Sequence, residues 1–150
     1  MQDAYVGQVA AYPGQPIPFG WLPCDGKLLP IAQYESLYQV IGTKYGGGGN
    51  MFALPTIADP VANVVSIIAA KGEIPPPGIT PPWAPNIMAM ASPWTAPPPK
   101  YTMHPKGQVL EIGKFEGLFV VVQNIFGGNI EKGTFALPKM GDGWAMYVGV

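Results

Sequence analysis

Arginine is absent from this chain of 150 residues, so its eight cationic side chains are all lysines. Affinity for nucleic-acid phosphates comes from clustered Lys and Arg. A net charge of −1 with no basic stripe therefore excludes nucleic acid as an expected partner. Charge of either sign is scarce, at 11% of residues, where roughly a quarter is usual for a soluble domain. A surface so poor in charge is expected to be covered, and other copies of the same chain are the simplest cover. The single cysteine, Cys24, excludes an internal disulfide framework and a thiol-rich metal site. A buried structural thiol is the expectation, with a bond to another copy as the alternative. The single histidine, His104, has no His, Cys or carboxylate at metal-ligand spacing, and zinc or iron sites need three or four ligands. Neither a metal nor a cofactor is expected, one ligand per subunit around a symmetry axis being the minor alternative. Ser36, Ser66 and Ser92 lie outside any G-x-S-x-G context, so no nucleophile can be assigned.

Long apolar runs are missing too. The longest, Val61 to Ala70, is interrupted by Asn63 and Ser66 and stops at Lys71, well short of the roughly 20 residues of a membrane span. The N-terminal stretch has neither a basic n-region nor an apolar h-region, so no classical signal peptide is expected.

What the chain has in quantity is glycine (20), proline (19) and hydrophobic residues (48%). Patterned apolar groups with so many turn formers read as short strands joined by tight turns, not as disorder. Residues Val6 to Ala11 suggest a strand ending at Pro13 and Gly14, and Asp25-Gly26 suggests a hairpin turn before Lys27. Tyr34, Leu37, Tyr38 and Ile41 then fall at i, i+3, i+4 and i+7, one face of a short helix that Gly42 is placed to stop. Val61 to Ala70, rich in Val and Ile, is the strongest strand candidate. From Pro75 to Pro99, ten of twenty-five residues are proline, which favours extended backbone.

The second half replays the first. Leu29 to Ile57 returns as Leu110 to Met140, with Tyr34, Leu37, Tyr38 and Ile41 answered by Phe115, Leu118, Phe119 and Val122, and F-A-L-P present in both. Ile87 to Met90 is read as the counterpart of Val9 to Tyr12, Gln108 to Ile112 of Lys27 to Ile31, and Trp144 to Val150 of the closing strand. Gly117 and the run Val120 to Val122 make the second helix the weaker former, so packing must hold it. The repeat duplicates packing positions but no reactive group. Asp25, Glu35 and Asp59 are scattered, and although Glu35 is matched by Glu116, Asp25 is matched by Lys106. The run Gly46 to Gly49 is followed by no Lys-Ser/Thr and no helix start, so it reads as turn or close-approach glycine and not as a phosphate cradle.

Blocks of the first half are distinctive in combination. Gly7 to Val9, Pro18 to Trp21, Cys24 to Ile31, Leu37 to Gly47 and Phe52 to Pro55 follow the order G-(E/Q)-(I/V), P-x-G-W, C-D-G-x-L-L-P-I, L-(Y/F)-x-(L/V)-(I/L)-G-T-x-Y-G-G and F-x-L-P. Over about fifty residues the chain thus resembles the phage tail collar domain of tail fibre and microcystin-dependent proteins. It departs at Ala58-Asp59-Pro60-Val61, where family members usually carry D-L-R-G-R, and the second half lacks the G-W and C-D-G blocks. The resemblance implies a structural module of virion tail fibres, often trimeric, without catalytic residues to carry over.

The expected fold is α+β, with short strands and one short helix per half in two pseudo-equivalent collar-like lobes sharing a core. The expected divisions are residues 1–75 as the first repeat, 76–99 as a proline-rich connector, and 100–150 as the divergent second repeat, whose first strand begins near 87. The expected function is a non-enzymatic subunit that self-assembles into a virion-associated or extracellular fibre. The alternative is a receptor- or glycan-binding tip. Candidate interaction residues are Trp83, Trp94, Tyr101, Tyr5 and Tyr147. Expected partners are copies of the chain, as a trimer or filament, with other tail or fibre proteins and host surface glycan as further candidates. The strand-like ends Ala4 to Ala11 and Ala145 to Val150 are expected to add to a neighbour's sheet edge.

Overall fold

Proline and glycine punctuation leaves room only for short elements. The computed structural model describes residues 5–74, 87–94, 97–98 and 100–149. In the first half these form β1 (Val9–Tyr12), β2 (Trp21–Pro23), β3 (Leu28–Pro30), α1 (Glu35–Ile41), β4 (Gly47–Gly48), β5 (Met51–Ala53) and β6 (Val65–Ala69). The second half supplies β7 (Ala91–Pro93), β8 (Thr102–Met103), β9 (Val109–Glu111), α2 (Glu116–Val122), β10 (Thr134–Ala136) and β11 (Trp144–Tyr147). The class is α+β, in two lobes.

One antiparallel six-stranded sheet runs through both lobes in the order β2-β6-β1-β7-β11-β8. Exchanging β1 with β7, β2 with β8 and β6 with β11 leaves that order unchanged, so the lobes are related by a pseudo-two-fold through the β1·β7 pair. Ala11 faces Ala91 across that seam. The ladders agree residue by residue: Trp21 and Leu22 pair with Ala69 and Ile68, as Thr102 and Met103 pair with Tyr147 and Met146. Each lobe adds a small sheet, β3-β5-β4 in the first and β9-β10 in the second.

The helices have seven residues each, too short to persist in isolation. They hold because Leu37 in one and Leu118 and Val122 in the other are completely buried. Tyr38 meets Phe52 edge to face at 5.4 Å, and Phe119 meets Phe135 in the same way at 5.3 Å. Such pairs add about 0.5–1.5 kcal/mol beyond the buried area. Both helices end on a left-handed residue at φ 53°, Gly42 in α1 and Gln123 in α2. Close approach explains the paired glycines that follow. A Cβ on Gly47 would lie 2.5 Å from the Phe52 Cα, and one on Gly128 would lie 2.4 Å from the Phe135 Cα.

The sheet is buried on both faces. Along β6, Ile68 and the following Ala70 pack with Leu37, Phe52 and Leu54, whereas Ile67 and Ala69 pack with Ala10, Tyr12 and Trp21. The core is shared between lobes: Ala11 and Val64 of the first sit among Leu118, Phe135 and Met146 of the second, and Met90 joins Tyr12 and Trp21.

Several expectations from the sequence are corrected here. Ile87 to Met90 does not match Val9 to Tyr12. It matches the turn before β1, since the Gln8 N–H donates to the Tyr5 carbonyl and the Met90 N–H to the Ile87 carbonyl. The strand proper, β7, follows at Ala91. Asp25-Gly26 does not close a hairpin, because β2 pairs with β6 and β3 with β5. The Asp25 carboxylate instead accepts the Lys27 N–H at 3.1 Å and turns the chain from one sheet to the other. Val61 to Val64 is a tight bridged turn with Asn63 at φ 65°, so the strand starts at Val65. Strands β1 and β11, expected to add to a neighbour's sheet, are not free edges either: β1 lies between β6 and β7, and β11 between β7 and β8.

Candidate interaction surfaces

The groups weighed for chemistry do not converge. Asp25, Glu35 and Asp59 are all exposed. Glu35 and Glu116 are the first residues of α1 and α2, where a carboxylate favours the helix dipole. The Asp59 Oδ1 accepts the Ser66 N–H at 3.4 Å. Among the described residues no three His, Cys, Asp or Glu side chains are grouped to hold a metal ion. No helix among them is long and apolar enough to cross a membrane. Cys24 is buried, and burial followed by the nearby Asp25 charge pushes its thiol from 9.0 up to about 11.

His104 has a structural task that the repeat makes visible. In the first lobe the Cys24 N–H donates to the Ser66 carbonyl at 2.9 Å. The equivalent residue in the second lobe is Pro105, which has no N–H to donate. The adjoining His104 donates from Nδ1 to the Trp144 carbonyl at 2.6 Å, restoring the missing bond. Nearby, the Lys106 ammonium lies 2.6 Å from the Asp142 carboxylate and holds its pKa below the ordinary value, chiefly through that hydrogen bond.

Four of the five aromatic candidates fall among the described residues. Trp83 lies outside the described residues. Trp94 is half-buried, with its ring N–H donated to the Pro97 carbonyl at 3.1 Å. Tyr5 bridges to Glu73 at the start of the chain, and Tyr147 is half-buried within β11 opposite Thr102. Tyr101 is 45% exposed, with the Lys100 ammonium 4.9 Å from its ring centre.

Other surfaces had no strong sequence signal. Phe19 is 89% exposed, under the Lys71 ammonium at 4.5 Å. Leu28 and Val109 hold equivalent places in β3 and β9, and both stay exposed, at 51% and 60%. Both strands are sheet edges. Lys27 and Ile31 bond toward β5, as Gln108 and Ile112 bond toward β10. Strand alternation therefore turns the backbone groups of Leu28 and Val109 outward. On the second lobe Val120, Ile125 and Ile130 are also more than half exposed.

Among the depressions lined by described residues are two of about 420 and 410 Å³. The first, beside Tyr34, Glu35, Ser36 and Lys71, is shallow. The second lies where the lobes meet, between the Pro13–Gln15 turn, the loop from Asp59 to Val65, and the end of α2.

The family model for the Phage Tail Collar Domain matches residues 7–59 and again residues 86–145. The chain belongs to the phage tail collar domain family. One matched segment falls in each lobe, so the collar unit occurs twice, and the family is one of structural modules of phage tails. No curated protein and no solved structure matches the chain. In the second collar copy the G-W block is replaced by Tyr101-Thr102, yet the backbone persists. Gly20 and Tyr101 both have positive φ, at 89° and 65°.

Proposed function

We propose that this double collar protein is a structural subunit that self-associates into a fibre, virion-associated or extracellular, and performs no catalysis. The observation that carries this reading is the pair Leu28 and Val109. An exposed aliphatic residue on an open strand edge occurs at the same position in both lobes, although many other surface positions of the repeat have changed. Two such edges related by a pseudo-two-fold give each subunit two similar contacts. A β3-to-β9 contact between copies that does not close on itself produces a filament, and one that closes produces a ring such as a trimer. The scarcity of charge, 11% of residues, fits a surface covered in the assembly.

Negative-stain microscopy and sizing of the purified protein test the proposal. Fibres or a discrete oligomer are expected, and a monomer persisting at high concentration would contradict it. The receptor-tip alternative built on Trp83, Trp94 and Tyr101 has less support, because the Trp94 ring N–H already bonds to Pro97.

A further inference from the structure

To the groove at the junction of the lobes both lobes contribute parts that their counterparts lack. From the second lobe come Gln123 and Ile125, at the positions that Gly42 and Lys44 hold in the first. The first lobe contributes Asp59 and Asn63. Asn63 belongs to a loop absent from the second lobe, where β11 begins almost directly after Asp142. Gln123 and Asn63 are two of the four non-glycine residues with positive φ among the described residues, at 53° and 65°. Side chains are disfavoured in that backbone region, and strained residues of this kind gather at binding sites.

The lining chemistry selects a ligand class. The side-chain amides of Gln15, Asn63 and Gln123 are exposed and make no hydrogen bond among the described residues, and Asp59 holds the Ser66 N–H through one oxygen only. Primary amides offer donors and acceptors together, and a carboxylate accepts from neighbouring hydroxyls. Val65, Val121 and Ile125 give the groove an aliphatic side against which the C–H face of a pyranose ring can lie. No lysine lines it, so a phosphate, sulfate or uronate would meet the Asp59 charge unopposed. An extended peptide would need an open strand edge, but β6, which starts at Val65, is paired on both sides. The volume, about 410 Å³, lies in the range of small-molecule sites.

We infer that this inter-lobe groove binds a neutral sugar residue of a glycan, with Gln123, Asn63, Gln15 and Asp59 as hydrogen-bond partners. The inference is independent of fibre formation. Saturation-transfer NMR on the full chain, which tolerates large assemblies, tests it with glucose, galactose, mannose and N-acetylglucosamine as neutral probes and glucuronic acid and glucose 6-phosphate as anionic ones. At least one neutral sugar should bind in the millimolar range, and Gln123→Gly and Asn63→Gly should each weaken it about tenfold, the loss expected for one good hydrogen bond. Both variants place glycine where the backbone is left-handed, so the fold is kept. Gln123→Gly should also raise the melting temperature, which a merely damaged protein would not show. No transfer to any neutral sugar, equal binding of the anionic sugars, or binding that both variants leave unchanged would overturn the inference.

Discussion

The carbonyl of Gly20 accepts the N–H groups of Ala70 and Lys71, and the carbonyl of Tyr101 accepts those of Val148 and Gly149 in the same arrangement. The left-handed backbone that makes this double acceptance possible costs glycine nothing, whereas it costs an L side chain about 1–2 kcal/mol. Tyr101→Gly is therefore expected to stabilise the protein by roughly 0.5–1 kcal/mol after the greater freedom of glycine in the unfolded chain is counted. Thermal unfolding of the variant checks this. Unchanged or lower stability would mean that the Tyr101 ring, with Lys100 beside it, contributes more than the strain.

Gly47→Ala and Gly128→Ala test the duplicated close approach. Each new Cβ would fall within 2.5 Å of a phenylalanine backbone, and backbone cannot swing aside as a flexible side chain can. A loss of about 3 kcal/mol or more is expected from either substitution, measured by urea unfolding. Because the six-stranded sheet and its core cross both lobes, each variant should unfold in one transition. Two separated transitions would argue for independent lobes.

His104→Ala should leave the Trp144 carbonyl without its donor, at a cost of about 1–3 kcal/mol if water cannot replace it. Hydrogen exchange should quicken along β8 and β11, at the second-lobe edge of the sheet. The first lobe's edge, where Cys24 supplies the equivalent bond, should be unaffected.

Cys24 predicts a pH dependence. Its thiol is raised to about 11 in the folded state, so stability is fully present below pH 9, where both states hold the proton. As pH rises from 9 toward 11 the unfolded chain loses the proton first, and stability falls by roughly 1 kcal/mol per pH unit. Cys24→Ala should remove this slope, whatever it does to stability at neutral pH. The native thiol should also resist alkylation at pH 8.

The parts of the fold legible in the sequence are those set by local periodicity and by the repeat. The helix faces at Leu37 and Leu118, the stop at Gly42 and the paired glycines before Phe52 and Phe135 needed only spacing and the chemistry of glycine. Strand partners were not legible. Asp25-Gly26 reads as a hairpin locally, but tertiary pairing sends β2 to β6 and β3 to β5. The register of β7 is not legible because the second lobe replaces Gly7 of the turn with Ala89, which keeps the positive φ, at 68° against 87°, while erasing the sequence mark. The groove was not legible: counting on from the helix faces sets Gln123 on Gly42, but only the folded chain brings Asn63 and Asp59 of the other lobe beside it.

The self-association proposed here is tested most directly by sedimentation velocity over a concentration series of the wild-type chain and of Leu28→Lys with Val109→Lys. Large or growing species for the wild type, reduced to a folded monomer with an unchanged melting temperature in the double variant, are the predicted result. A wild-type protein that sediments as a single subunit throughout, or a double variant that assembles as before, would contradict the account.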